Sequence, residues 1–182
     1  MGWLAAFFQS MTARTAGFSS VDLGSMSNAG LLVIMILMFI GASPGSTGGG
    51  IKTTTFFVLM QQVRSIFSKR RLGGFHRRLP DGSLSKAATI MLMGLMVVGC
   101  GTFALCVLEP QLDFGRLLFE QISAYSTAGL STGITAELCP ASRVVLILTM
   151  FIGRVGAVTL LSLWVERPAP SAQYTEENIT IG

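Results

Sequence analysis

Charge is what this chain has least of. Only 12% of its 182 residues are Asp, Glu, Lys or Arg, about half the share usual in soluble domains. With 51% hydrophobic residues and a mean hydropathy of +0.63, that deficit argues for an integral membrane protein. Paired cysteines are missing as well. Cys100, Cys106 and Cys139 form no CxxC spacing and have no nearby histidine, so they read as packing residues in apolar surroundings. The start, Met1-Gly2-Trp3-Leu4, lacks the basic residues that open a cleavable signal peptide. Ala6 stands where a myristoylation motif needs Ser or Thr. The net charge of +4 would suggest nucleic acid in a soluble protein. Here the basic residues cluster between two apolar segments, so the imbalance is a topology signal and no nucleic-acid partner is expected.

What the chain does have is a tandem repeat. Thr15-Ala16-Gly17-Phe18-Ser19 and Met38-Phe39-Ile40-Gly41 recur 112 positions later as Thr127-Ala128-Gly129-Leu130-Ser131 and Met150-Phe151-Ile152-Gly153. Two matches at one offset identify a duplication. Each copy runs in the same order: a short amphipathic stretch, a Thr-Ala-Gly loop, then a long apolar run. That order predicts a loop dipping into the membrane, followed by a spanning helix, as in pore proteins.

Lys86 to Leu108 is the plainest spanning segment, about 23 residues without an internal charge, enough at 1.5 Å per residue to cross a core of about 30 Å. Its glycines, Gly94, Gly99 and Gly101, are expected to permit close helix packing. Ser142 to Val165 is a second candidate, interrupted by Arg154. The run from Ala29 to Ala42 is too short to span. It breaks at Gly41-Ala42-Ser43-Pro44-Gly45-Ser46-Thr47-Gly48-Gly49-Gly50 and resumes from Ile51 to Val63. A helix broken at membrane depth survives only where its backbone is buried in protein or lines a wet cavity, so the break is a functional candidate.

Between residues 64 and 86 lie Arg64, Lys69, Arg70, Arg71, Arg77, Arg78 and Lys86, seven of the thirteen basic residues, against one acid, Asp81. The positive-inside rule makes this loop cytoplasmic. Residues 109–113 are then external and the tail from Glu166 cytoplasmic. Phe114–Ser126 fits a re-entrant pore helix that ends at a Thr-Ala-Gly loop, and Gly2–Arg14 is its counterpart. The expected fold is an all-α integral membrane protein of tandem outer-helix/re-entrant pore-loop/inner-helix repeats around a central pore. Residues 1–63 form a repeat without its outer helix, 64–85 a basic cytoplasmic loop, 86–165 a complete repeat and 166–182 a cytoplasmic tail. On this reading the chain is truncated at its N-terminus.

Three motifs carry chemistry. Residues 45 to 53, Gly-Ser-Thr-Gly-Gly-Gly-Ile-Lys-Thr, suggest a nucleotide P-loop, but Ile51 separates Gly50 from Lys52 and no acidic strand follows. The lysine is therefore out of place for phosphates, which disfavours a nucleotide hydrolase. The Thr-Ala-Gly loops suit a cation filter, in which backbone carbonyls replace an ion's hydration shell and a glycine permits the tight position. Gly17 and Gly129 meet that need, and Thr15 and Thr127 can add oxygens. Arg154 is costly inside a membrane and is expected to face a cavity or a partner. Arg14, beside the first loop, is expected behind the filter with a carboxylate such as Glu120. His76 reads as solvated among arginines. Asn178-Ile179-Thr180 is a glycosylation sequon on the wrong side for use.

With Thr12-Ala13-Arg14-Thr15-Ala16-Gly17-Phe18, the Gly41–Thr53 stretch and Phe151-Ile152-Gly153-Arg154-Val155-Gly156 in view, the chain resembles the Trk/Ktr/HKT superfamily of potassium transporters, most of all its Ktr membrane-subunit branch. The resemblance implies four such repeats in one polypeptide, with this chain matching the third, less its outer helix, and the complete fourth. It implies a potassium filter at Thr15, Ala16, Gly17, Phe18, Thr127, Ala128, Gly129 and Leu130. It further implies a gate at Gly45, Ser46, Thr47, Gly48, Gly49 and Gly50, with Arg154 narrowing the pore beside it. The implied activity is potassium uptake, stimulated by sodium and without an enzymatic step or a bound cofactor. The implied assembly is a homodimer in the bilayer of the bacterial inner membrane, docked to a cytoplasmic ring of KtrA/TrkA-like nucleotide-binding regulatory subunits. Two filter quarters cannot enclose an ion, so the alternative is a non-conducting assembly module of the same transporter.

Overall fold

The computed structural model describes residues 2–68, 73–74, 77–78 and 82–156. The end of the 142–165 segment, the tail with its sequon, His76, Lys69, Arg70, Arg71 and Asp81 lie outside the described residues. Six α-helices account for most of the rest: α1 (Trp3–Thr12), α2 (Asn28–Phe39), α3 (Thr53–Ser68), α4 (Ser83–Leu108), α5 (Phe114–Ser126) and α6 (Pro140–Val155). A two-residue antiparallel ribbon, β1 (Gly73–Gly74) with β2 (Arg77–Arg78), lies within the basic loop.

Local chemistry sets these boundaries. Asp113 accepts from the backbone N–H groups of Gly115 and Arg116 at 2.9 and 3.4 Å, satisfying donors that the first turn of α5 leaves open. Ser27 does the same for α2 through Gly30 N–H at 3.3 Å. At 26 residues, α4 is long and apolar enough to cross a membrane. The apolar α2 is short, because the chain breaks after Phe39.

The core forms around α5. Its Phe119 packs with Leu31, Ile34, Met35 and Met38 of α2 and with Ala13. Its opposite side places Leu117 and Ala124 against Leu105 of α4 and Leu146 of α6. A smaller cluster joins Tyr125, Ile51 and Val98. The close-packing expectation for α4 holds at two of its three glycines. Gly94 faces the Tyr125 hydroxyl and Gly101 faces Gln121, whereas Gly99 has no neighbour within 4 Å. Outside this core the surface is oily: Trp3, Phe67 and Phe103 are each more than 70% exposed. Large apolar side chains left exposed in this way suit contact with lipid or another chain.

Glu109 ties the end of α4 to the start of α6. It follows α4 and is almost fully buried. Its Oε1 accepts from Cys139 N–H at 2.6 Å and from the Ser142 hydroxyl at 3.0 Å, at the start of α6, while Oε2 accepts from Gln111 at 3.0 Å. The Cys139 backbone N–H, followed by the Cys139 side chain and the weaker Ser142 and Gln111 donors, holds the carboxyl below its ordinary 4.5 against the opposing effect of burial. A depressed folded-state value stabilises the protein fully above the unfolded value, and that contribution is lost as pH falls through the folded value. Melting of the detergent-solubilised protein should therefore weaken in acid below about pH 4.5. Glu109→Gln should flatten that acid limb while lowering stability at neutral pH; an unchanged pH profile would remove this role.

Candidate functional site

The two Thr-Ala-Gly loops, 112 residues apart in sequence, touch in space. A Cβ built on Gly129 would lie 3.2 Å from the Gly17 Cα, and one on Gly17 would lie 3.2 Å from the Ala128 carbonyl oxygen. Both loops have the same unusual backbone. Thr15 and Gly17 have φ of 69° and 78°, and Thr127 and Gly129 have 52° and 80°. Left-handed residues alternating with ordinary ones can turn successive carbonyl oxygens toward one side, whereas an extended strand alternates them. Glycine adopts this conformation without steric cost. A β-branched threonine does not, and each such residue stores about 1–3 kcal/mol of strain.

Hydroxyl staples hold that strain. The Thr12 hydroxyl donates to the Phe18 carbonyl and accepts from Phe18 N–H at 3.1 Å. In the second loop the Ser123 hydroxyl donates to the Leu130 carbonyl and accepts from Leu130 N–H at 3.1 Å. A second brace stands one turn earlier on each helix. Gln9 Oε1 accepts from the Ser19 hydroxyl at 3.2 Å, and Glu120 Oε1 accepts from the Ser131 hydroxyl at 2.7 Å. The loops obey the 112 offset, but these helix residues pair at 111. One additional residue lies between staple and loop in the second copy.

The glycine-rich break lies against both threonines. Gly49 N–H donates to the Thr127 hydroxyl at 3.0 Å. A Cβ on Gly48 would lie 3.2 Å from the Thr15 side chain. The break forms a closed loop: Ile51 N–H reaches the Phe39 carbonyl and Thr53 N–H reaches the Ala42 carbonyl, both at 3.0 Å. Two cations clasp its rim. Lys52 Nζ donates to the carbonyls of Gly48 at 2.6 Å and Ser46 at 3.1 Å, and Arg154 Nη1 donates to the Thr47 carbonyl. Arg154 belongs to the last turn of α6, with Gly45 and Gly50 at positive φ in the loop it holds.

The residues singled out from sequence thus fall into one place: the 15–18 and 127–130 loops meet, and the 45–50 loop with Arg154 lies beside their threonines. The pairing of Arg14 with Glu120 does not occur. The acceptor sites of Glu120 are filled by Ser131, Thr132 and Thr135, and Arg14 lies instead near Gly41. Lys52, Thr12, Ser123, Gln9 and Glu120 are the positioning residues that motif reading misses. The hydroxyls three residues before the first Thr-Ala-Gly and four before the second were the available signal for the staples. Among the described residues no cluster of His, Cys, Asp or Glu could hold a metal ion, so any ion here would be met mainly by backbone and hydroxyl oxygens.

The chain is similar to known transport proteins. The family described as TrkH, cation transport protein, matches residues 2–176. The Ktr system potassium uptake protein B of Vibrio alginolyticus is 39% identical over 99% of this chain and 40% of its own length. The potassium/sodium uptake protein NtpJ of Enterococcus hirae is 39% identical over 97% of this chain and 41% of its own length. This chain therefore spans about two-fifths of the length of these relatives. In structure it is similar to the potassium transporter TrkH of Vibrio parahaemolyticus, with a TM-score of 0.72 over 88% of this chain and 36% of that one, at 22% identity.

Proposed function

The chain belongs to the TrkH family of cation transport proteins, and from that membership we propose that it supplies two of the ion-coordinating loops of a membrane potassium uptake pore. The loops at Thr15–Phe18 and Thr127–Leu130 are adjacent quarters of a selectivity filter. Their carbonyl oxygens stand in for the water that a potassium ion sheds. Helices α1 and α5 are the re-entrant pore helices, α2 and α6 the inner helices, and α4 an outer helix. Two quarters make half of an oxygen ring, and two further repeats of the same construction complete it.

One observation carries this reading: two loops far apart in sequence place the same strained backbone, threonine and glycine both left-handed, tip against tip. Duplicated external turns without an ion would not need the threonine strain or the paired staples. The loop from Gly45 to Gly50, held by Arg154, acts as a gate on the cytoplasmic side of the filter. Potassium moves inward down its electrochemical gradient, with about 2.3 kcal/mol per charge from each 100 mV of inside-negative potential. Sodium stimulation, a homodimer of the membrane subunit in the plasma membrane and a cytoplasmic ring of nucleotide-binding regulators complete the proposal. The Ktr-system relatives support the partner, since their name places them in a system of components.

The test is ion competition. In the native transporter expressed in potassium-uptake-deficient cells, Gly129→Ser should reduce the preference for rubidium over sodium by about tenfold, because a side chain at φ 80° must displace the Gly17 backbone. A variant with unaltered preference would remove Gly129 from the ion path.

A further inference from the structure

We infer that the charge of Glu120 sets the ion affinity of the second loop, and that the two loops are electrostatically unequal. The inference rests on the filter reading above and adds an affinity-tuning residue to it.

Glu120 and Gln9 occupy the same place in the two copies. Each stands three residues before its staple hydroxyl, Ser123 or Thr12, and each accepts from the serine that follows the loop. Both side chains are buried, 5% and 2% exposed. In the first copy a neutral carboxamide braces the loop, so bracing alone does not demand a charge. Its Nε2 is buried without a hydrogen-bond partner, the ordinary cost of fitting an amide where only an acceptor is used.

In the second copy the carboxylate is met entirely by neutral donors. Oε1 accepts from the Ser131 hydroxyl at 2.7 Å, Thr132 N–H at 2.9 Å and the Thr132 hydroxyl at 3.2 Å, and Oε2 accepts from the Thr135 hydroxyl at 3.0 Å. Among the described residues no cation pairs with it. Neutral donors make burial tolerable without cancelling the net charge. The carboxylate's field therefore reaches whatever lies across the loop. Glu120 lines a cavity of about 380 Å³ together with Thr127, Gly129 and Leu130, so the loop's ion-coordinating segment is its immediate neighbour. A fixed negative charge behind oxygen ligands, in a medium less polarisable than water, strengthens cation binding in front of them. Gln9 gives the first loop no such support.

The experiment is a charge exchange between the two positions, in the native transporter, read as rubidium uptake into potassium-uptake-deficient cells. Glu120→Gln should raise the apparent KM by about three- to tenfold while the maximal rate changes less than about twofold. Gln9→Glu should lower KM by about threefold. A purely structural role predicts the reverse split, with a lower maximal rate at unchanged KM in Glu120→Gln, and that result overturns the inference. If Glu120→Gln does not reach the membrane, Gln9→Glu decides alone: an unchanged KM refutes it. Failure of the filter reading is separable, because it would appear as unaltered rubidium/sodium preference in Gly129→Ser whatever the charge variants do.

Discussion

Alanine at Gly153 should cost the protein more stability than alanine at the other described glycines, because what it meets is backbone. A Cβ there would lie 1.9 Å from the Tyr125 carbonyl oxygen and 2.8 Å from its carbon. The obstacle is backbone, so no rotamer can relieve it. Overpacking a well-formed core costs about 1–3 kcal/mol when side chains can yield; where they cannot, α6 must move off the end of α5. Tyr125 lies two residues before Thr127, and a Cβ on Gly49 would meet the Gly153 carbonyl at 3.1 Å. Displacing α6 therefore disturbs the second loop and the glycine-rich loop together. Gly153→Ala should lower the melting temperature of the purified protein sharply and abolish uptake. Gly99→Ala is the control. That glycine is helical with nothing within 4 Å, so the methyl should leave uptake intact and add about 1 kcal/mol through helix propensity. Wild-type melting in Gly153→Ala would mean that α5 and α6 do not cross as described.

The contrast between these two glycines shows what can be read from a sequence and what cannot. Both lie in apolar helices and look alike in one dimension; only the partner helix distinguishes a packing contact from an exposed face. The elements themselves were legible. An amphipathic stretch too short to span marks α5, and the run of Gly, Ser and Pro after Ile40 marks where α2 cannot continue. The Thr-Ala-Gly loops were legible because a duplication announces itself. The braces were not, and the duplication conceals them: an offset of 112 pairs Gln9 with Gln121, yet the residue that does the work of Gln9 is Glu120. Gln121 instead lies between α4 and α6, donating to the Thr149 hydroxyl at 2.9 Å. A single residue added within a helix rotates its face by about 100°, which exchanges bracing and packing positions with no trace in composition. Lys52 is hidden for another reason. Its motif resembles a phosphate cradle, and the carbonyls it binds belong to its own loop, whose path depends on the closure of Phe39 onto Ile51.

That clasp leads to the other large effect. Lys52→Met, and more strongly Lys52→Met with Arg154→Met, should raise uptake by about tenfold or more and, on the proposed assembly, uncouple it from the regulatory subunit. Ser46, Thr47 and Gly48 present three successive carbonyls at the rim of the loop, and the only side-chain donors on them among the described residues are Lys52 and Arg154. Hydrogen bonds from charged donors contribute about 1.5–3 kcal/mol each, and 1.4 kcal/mol changes an equilibrium tenfold. Lys52 is half-buried and Arg154 exposed, so solvent discounts the arginine more. Methionine keeps the length and apolar stem of lysine while removing the donor. Without the clasp, the remaining ties of the loop tip among the described residues are backbone closures and the Gly49–Thr127 bond, and the open arrangement of the proposed gate gains population by the free energy lost. On the proposed ion path electrostatics acts in the same direction, since both cations are held on the loop that lies against Thr15 and Thr127, and removing them would lower the barrier to an entering cation. Deleting Gly45 to Gly50 sets the upper limit, because it removes the loop that the clasp holds. Rubidium influx in cells with and without the regulatory subunit measures all three variants. If the double variant reaches the membrane at wild-type levels yet transports no faster, the loop does not limit flux and the clasp is structural alone.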